Sequence, residues 1–324
     1  MLSPSDLHVF CARSNPLGWK QPQKLWETFA THMLELGVNL TVVECAYGNE
    51  PWICTTPPMS DPAHAARFMH VGVRAKTRGW SKENCINLGV WRRPEAKYIG
   101  WFDTDILFRR PDIAMATLHA LQHYDVVQPW ATCYYDLGPN GEHITAHTSF
   151  AKQFFDGKPL APDSYDKPYW MGDGGLNVYP HSGFAWGMTR QAYDWTGGLF
   201  EVAGMGSGDH HMALSLAGLA VHSLPPGPNP EYCREVMLWQ ARALQHINGN
   251  VGYVAGTIEH AFHGRKPDRQ YINRWQMFVK HGFDPLTDLK RNASGVFEFA
   301  TNKPDLRRDF DRYLQARNED INAL

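Results

Sequence analysis

The sequence has few cysteines, and none of them forms a paired motif. All six are widely spaced, at Cys11, Cys45, Cys54, Cys85, Cys133 and Cys233. No Cys-x-x-Cys pair occurs, which excludes both a disulfide framework and a cysteine-based zinc site. We therefore expect reduced thiols, as in a cytoplasmic protein.

Long apolar runs and a strong net charge are also missing. No stretch of about 18 apolar residues occurs, so we expect no membrane span and no membrane partner. Residues 1–6 are polar and the apolar stretch after them is too short for a signal peptide. The net charge is -2, so the chain has no overall basic field of the kind that drives non-specific nucleic-acid binding.

The chain does contain enough apolar residues to form a sizeable core. Of its 324 residues, 43% are hydrophobic and 13% are aromatic, including 12 Trp. Aromatic side chains either fill cores or stack on sugars and bases, and composition leaves both roles open. The apolar pattern predicts a strand at 7–12, a helix at 22–37 and a second strand at 39–44. Together they form a βαβ unit with a parallel strand pair.

Further elements follow from periodicity and from Gly, Pro and capping residues. The sequence predicts strands at 98–102 and 125–129, helices at 81–91, 112–124, 190–196, 209–217 and 231–247, and a last amphipathic helix through Leu306, Phe310 and Leu314. Residues 48–62 read as a loop. Residues 136–182 show no clear period, which favours a lid or binding insertion that is most mobile at 171–175. No linker divides the chain cleanly. We predict a main domain at 1–270 and a helical extension at 271–324 packed on it.

The strongest chemical signal is the triplet Asp103-Thr104-Asp105 directly after the predicted strand 98–102. Carboxylates between apolar runs are costly to bury unless they are paired or bind a metal. The carboxyl ends of strands form the ligand crevice of an open α/β sheet. A carboxylate pair there suits a divalent metal, Mn²⁺ or Mg²⁺, that also holds phosphate oxygens. The alternative is an ordinary turn at a strand end.

A second signal lies at 257–266, where two histidines precede two cations. An imidazole from His263 beside the two carboxylates would suit Mn²⁺ better than an all-oxygen site does. Arg265 and Lys266 could neutralise a diphosphate. The alternative is a structural histidine in a surface turn.

A third signal is the glycine-rich segment 204–208, followed by Asp209, His210 and His211. Glycines let the backbone approach a ligand closely. Asp209 could act as a general base or simply cap the following helix. Adjacent histidines on a helix point apart, so we do not expect His210 and His211 to chelate one ion together.

The order of these features resembles that of GT-A fold glycosyltransferases. The segments 181–193 and 197–201 are similar to the acceptor side of that family, with a small-residue strand, an Arg and an aromatic on a helix, and then Gly-Gly. The resemblance covers about residues 7–270. It implies an α/β fold with a Rossmann-like, mixed and mostly parallel sheet flanked by helices.

The resemblance also implies roles for individual residues. Asp103 and Asp105 would contact the metal and the donor, His263 would complete the metal site, and Asp209 would be the catalytic base of an inverting enzyme. Glu44 would contact the nucleoside. The remaining donor-binding positions would be Arg13, Ser14, Lys82, Asn84 and Asn87, together with Lys266. For Glu44 and these donor positions other than Lys266, the alternative is a solvated helix or loop residue.

More narrowly, residues 80–84, the aspartate strand and the Gly-Asp-His-His segment are similar to a group common in bacteriophage genomes. Some of its members are associated with TET-type enzymes that oxidise 5-methylpyrimidines in DNA. This likeness implies a nucleotide-sugar donor such as a UDP-sugar, a hydroxymethylpyrimidine acceptor in DNA and a location in the host cytoplasm.

Three other functions remain open from the sequence. The acceptor could be a cell-surface glycan or another saccharide. The protein could be a nucleotidyltransferase, although residues 13–18 match a phosphate-binding loop poorly. It could also be a glycan- or nucleic-acid-binding module without catalysis. The configuration of the product, inverted or retained, is not fixed by the sequence.

Overall fold

The computed structural model describes residues 1–137, 143–161, 180–270 and 273–320. The strands are β1 (Leu7–Ser14), β2 (Asn39–Tyr47), β3 (Phe68–Ala75), β4 (Tyr98–Phe102), β5 (Ile106–Phe108), β6 (Val126–Gln128), β7 (Thr132–Leu137), β8 (His143–Thr148), β9 (Ala185–Thr189), β10 (Val251–Tyr253), β11 (Thr257–His260), β12 (Leu289–Arg291) and β13 (Phe297–Phe299). The helices are α1 (Lys20–Glu35), α2 (Pro62–Ala65), α3 (Lys82–Trp91), α4 (Ile113–Ala120), α5 (Phe150–Phe155), α6 (Arg190–Thr196), α7 (Gly208–Leu216), α8 (Pro230–His246), α9 (Lys266–Arg269), α10 (Asn273–Lys280), α11 (Pro285–Asp288) and α12 (Pro304–Ala316).

A seven-stranded sheet in the order β10-β6-β9-β4-β1-β2-β3 forms the centre of the fold. Its strands pair in parallel, except that β9 runs antiparallel to both β4 and β6. A second, four-stranded sheet has the order β5-β11-β7-β8. This topology confirms the α/β class and the mixed, mostly parallel sheet.

Both faces of the central sheet are covered, because alternate side chains of each strand enter two different cores. Val9 and Val42 pack with α1 and α4 on one face, whereas Phe10 and Val43 pack with α3 on the other. The core that contains Phe10 and Val43 continues through α6, α7 and α8 into α10 and α12. The C-terminal helices thus share the main apolar core.

The predicted βαβ unit is confirmed, with the helix observed at Lys20–Glu35 and the second strand extended to Tyr47. The strand Tyr98–Phe102 matches its predicted bounds, and α6 ends at Gly197, whose φ of 75° is left-handed. The helix predicted at 112–124 is shorter, Ile113–Ala120.

Several strands were not predicted from the sequence, including β3, β7, β8, β10 and β11. β3 is the edge strand of the central sheet and is only partly buried, so its sequence carries polar residues that weaken the apolar signal. Part of the segment 136–182, predicted to be irregular, belongs to β7, β8 and α5. The predicted mobile segment 171–175 lies outside the described residues. The boundary proposed between 1–270 and 271–324 stays a prediction.

Candidate metal and donor site

A cavity of about 250 Å³ opens at the carboxyl edge of the central sheet. The ends of β1 and β4, the first turns of α3 and α7, the segment after β11 and the end of α12 line it. β1 and β4 are parallel neighbours, so the polar residues that follow them arrive at the same edge. The strand-end position of Asp103 and Asp105 therefore places both of them in the cavity.

One wall of the cavity is formed by Asp105, His260 and His263, which we call the histidine side. The turn after β4 leads into β5, which pairs antiparallel with β11 so that Ile106 lies opposite His260. The backbone amide of Ala261 donates to the Asp105 carbonyl oxygen at 2.8 Å. This register brings two histidines from late in the chain beside the carboxylate.

The geometry of the histidine side fits a divalent metal. Asp105 Oδ2 lies 2.8 Å from His263 Nε2 and 3.5 Å from His260 Nε2, and the two Nε2 atoms are 3.3 Å apart. Ligands about 2.1 Å from a shared metal lie about 3.0 to 3.5 Å from one another. Within the described part of the chain, the buried Asp105 Oδ1 has no hydrogen-bond partner, so it too is available to a cation.

The protonation states on the histidine side also suit metal binding. Burial, together with the charge of Arg269, lowers the pKa of His263 to about 4. The imidazole is therefore neutral near pH 7, as a ligand must be. Burial opposes ionisation of Asp105, but the neighbouring His260 and His263 hold the pKa of its carboxyl well below the usual range.

The opposite wall contains Lys82, Asp103 and Asp209, which we call the lysine side. Lys82 Nζ lies 2.5 Å from Asp103 Oδ1 and 3.8 Å from Asp209 Oδ2. Burial would lower the pKa of Lys82, but the two carboxylates raise it above its usual value. Burial raises the pKa of Asp103 to about 6 in spite of the nearby ammonium.

Asp209 projects into the cavity from the first turn of α7. Ser207, with a φ of 67°, occupies the N-cap position and Gly208 begins the helix, so Asp209 is not the capping residue. A Cβ atom at Gly183 would lie 2.8 Å from Asp209 Oδ2. The glycine thus leaves the carboxylate room to reach the cavity. Neighbouring His211 is buried and bonds Ser223 and Tyr232, which is a structural role.

Cationic and carboxylate side chains are present in nearly equal numbers in the cavity lining. Among the described residues, the cations that line it are Arg13, Lys82, Arg269, Arg274 and Arg317. The carboxylates are Asp103, Asp105, Asp209 and Glu319. Five cations against four carboxylates leave little net charge, so a bound divalent ion would give the cavity a clear positive excess. That excess suits an anionic ligand such as a diphosphate.

The predicted donor-binding residues fall into two groups. Arg13, Ser14 and Lys82 line the cavity. Asn84 and Asn87 are buried in α3, where their amides bond Glu201. These hydrogen bonds connect α3 to the segment that contains Glu201, and the donor-binding role of the two residues stays a prediction.

Three further predicted residues lie apart from the cavity or outside the described part. The carboxylate of Glu44 accepts hydrogen bonds from the backbone amides of Ile53 and Cys54 and lies 2.9 Å from His70 Nε2. Arg265 is exposed and pairs with Asp268. The side chain of Lys266 lies outside the described part. The roles predicted for Glu44 and Lys266 stay predictions.

Several cavity residues were not singled out from the sequence as ligands. His260 was noted only as one of the two histidines at 257–266, because no local pattern marks its side chain as a ligand. Arg269, Arg274 and Glu319 come from the C-terminal region. No local pattern marks them, because only the tertiary fold brings them to the sheet edge.

Comparisons with known proteins find no matching family model and no matching curated protein. Among solved structures, a mannosyltransferase from Pyrobaculum calidifontis in complex with GDP-Man and Mn²⁺ matches with 14% identity and a TM-score of 0.43, covering 97% of this chain and 69% of that one. Glucosyl-3-phosphoglycerate synthase from Mycobacterium tuberculosis, in complex with Mn²⁺, UDP-glucose and phosphoglyceric acid, matches with 10% identity and a TM-score of 0.38, covering 91% and 86%. A nucleoside-diphosphate-sugar pyrophosphorylase from Vibrio cholerae matches with 14% identity and a TM-score of 0.37, covering 78% and 93%. No helix in the described part of the chain is long and apolar enough to cross a membrane.

Proposed function

We propose that this protein is a metal-dependent glycosyltransferase that moves a sugar from a nucleoside-diphosphate donor to a hydroxyl acceptor. The observation that carries the proposal is the convergence of Asp105, His260 and His263 on one point of a cavity otherwise rich in cations. When bound there, Mn²⁺ or Mg²⁺ would neutralise charge on the departing diphosphate. Arg13 and Lys82, which line the same cavity, would bind and orient this anion.

The lysine side would supply the acid–base chemistry. In the proposed reaction the acceptor oxygen bonds to the anomeric carbon as the bond from that carbon to the diphosphate breaks. Asp209 takes the acceptor hydroxyl proton, and the nucleoside diphosphate leaves. Direct displacement of this kind inverts the anomeric configuration. An NMR reading of the anomeric coupling in the product tests this step, since retained configuration would contradict it.

The finer assignments rest on the family resemblance. We propose a UDP-sugar as donor and the hydroxymethyl group of a modified pyrimidine in DNA as acceptor. The cationic lining of the cavity is compatible with a phosphate-bearing acceptor but does not select DNA. Transfer to 5-hydroxymethylcytosine DNA but not to unmodified DNA would support the acceptor. Transfer only to a saccharide would replace it.

A donor-only assay tests the proposed class before any acceptor is known. The intact protein is incubated with a panel of sugar nucleotides, with Mn²⁺ or with EDTA. We expect slow release of the nucleoside diphosphate from one donor, in the presence of metal only. Release of pyrophosphate would instead indicate a nucleotidyltransferase. Ligand binding with no turnover of any donor would indicate a non-catalytic module.

A further inference from the structure

The four residues that follow α12 and precede the undescribed terminus run directly behind the metal-binding histidine. We call residues 317–320 the C-terminal strap. The Gly264 backbone has a φ of 99°, and a Cβ there would lie 3.2 Å from the Arg317 carbonyl oxygen. This close approach seats the strap against the backbone next to His263.

The strap is fixed at its far end by the first helix of the fold. Asp320 accepts hydrogen bonds from the backbone amides of Lys20 and Gln21, at 2.9 and 2.8 Å. The N-cap position of α1, Trp19, provides no side-chain cap. Asp320 thus supplies an acceptor that the helix lacks locally, from almost 300 residues away in the sequence.

At its centre the strap presents a carboxylate to the back of His263. Glu319 is buried, with 7% of its surface exposed, and its Oε2 lies 3.9 Å from His263 Nδ1. The other oxygen, Oε1, accepts a hydrogen bond from Arg317 Nε at 2.6 Å. From the remaining direction, Arg269 Nη2 donates to the His263 carbonyl oxygen at 3.1 Å.

Metal binding by His263 would require one particular tautomer of its imidazole ring. Nε2 of His263 faces Asp105 and His260, so this nitrogen must carry the lone pair when a metal binds. The ring proton then lies on Nδ1, the atom that faces Glu319. Metal-binding histidines commonly have a carboxylate on this second nitrogen, which fixes the tautomer and the ring orientation.

We propose that Glu319 is a positioning residue of the metal site, acting through His263. Its carboxylate stabilises the His263 tautomer that binds metal, and the anchoring of the strap by Asp320 holds the carboxylate in place. This inference rests on the metal site proposed above. It adds to that site a requirement for a residue at the far end of the chain.

Titration of the intact chain with Mn²⁺, with free ion followed by electron paramagnetic resonance, tests the proposal. We expect Glu319→Gln to weaken Mn²⁺ binding about 10-fold, since losing such a partner commonly costs 10- to 100-fold. Arg317→Met breaks the same ion pair but keeps the carboxylate and removes a nearby positive charge. It should leave the Mn²⁺ affinity unchanged or raise it. Equal weakening in both variants would mean that the pair only holds the strap, and would overturn the proposal.

Glu298→Gln is a matched control for the loss of a buried glutamate. Glu298 is 4% exposed and accepts from the Lys76 amide and from Asn292, away from the cavity. It should lower the melting temperature in EDTA without changing the Mn²⁺ affinity. If Glu319→Gln does not fold, Asp320→Asn gives a second test, with an expected loss smaller than the 10- to 100-fold range of a direct partner of the ligand. Wild-type affinity in the variant that folds would overturn the inference, whereas failure of the wild-type protein to bind Mn²⁺ would contradict the proposed function itself.

Discussion

Different groups stabilise the buried carboxylates on the two sides of the cavity. On the lysine side, Asp103 and Asp209 share the ammonium group of Lys82. On the histidine side, Asp105 faces two imidazoles, and the His263 imidazole is neutral near pH 7 because of its lowered pKa. The two aspartates of one short motif therefore have different partners. The lysine side already holds its own cation, whereas the metal proposed above would supply one to the histidine side.

This difference predicts unequal effects for the two aspartates of the motif. Asp105→Asn should weaken Mn²⁺ binding more than 100-fold and lower kcat/KM by about 10⁴-fold, because it removes a direct ligand. Asp103→Asn should weaken Mn²⁺ binding by about 10-fold at most, the lower end of the range for an indirect partner. Calorimetric Mn²⁺ titration and donor turnover measure the two quantities. Equal losses of Mn²⁺ affinity would show that both aspartates bind the ion, and the division between the two sides would be wrong.

Substitution of Asp209 should lower turnover while leaving donor binding and metal binding intact. Asp209→Asn is expected to lower kcat about 10³-fold while leaving the donor KM and the Mn²⁺ affinity within about twofold, since a general base acts in the chemical step. Steady-state kinetics at saturating donor provide the measurement. Asp194→Asn, at a side chain 62% exposed on α6, is the matched control and should be neutral. Unchanged kcat in Asp209→Asn would leave Asp209 with no role in proton transfer.

Removal of the shared cation should destabilise the lysine side. Lys82→Met leaves Asp103 and Asp209 without a counterion, and breaking a buried ion pair typically costs about 3 to 5 kcal/mol. Urea unfolding in EDTA measures this loss of unfolding free energy. Lys158→Met, at a side chain 64% exposed, should change it by less than about 0.5 kcal/mol. Adding Asp103→Asn to Lys82→Met should recover part of the loss, and no recovery would mean that the two groups are not coupled.

The carboxyl of Glu83 is a third acidic group near the Lys82 ammonium, after Asp103 and Asp209. Burial raises the pKa of Glu83 to about 7, from 4.5 in the unfolded chain. The folded state thus binds this proton more tightly. The associated stability is complete below pH 4.5 and is lost as the pH rises through 7, by up to about 3 kcal/mol.

Glu83→Gln should remove this pH dependence. The difference in unfolding free energy between the wild-type protein and the variant is measured by urea unfolding at several pH values from 4.5 to 8. It should shift by up to about 3 kcal/mol in favour of the variant as the pH rises. A difference that does not change with pH would show that Glu83 is ionised in the folded protein.

Local sequence was sufficient for the parts of the fold that depend on periodicity. The βαβ unit and the strand before Asp103 were predicted because buried parallel strands and amphipathic helices leave strong apolar patterns. The position of the aspartates at a strand end then placed them in the cavity without any tertiary information.

The place of His260 in the proposed metal site could not be predicted from local sequence in this way. His260 joins Asp105 only through the antiparallel register of β5 and β11, which no local pattern encodes. The partner shared by Asn84 and Asn87 was also beyond local prediction, because Glu201 lies more than 110 residues away.

Crystals grown with Mn²⁺ and examined by anomalous diffraction would test the central claim most directly. The account predicts one strong manganese peak about 2.2 Å from Asp105 Oδ2 and from Nε2 of both His260 and His263. A peak between Asp103 and Asp209, or no peak in the cavity at all, would contradict it.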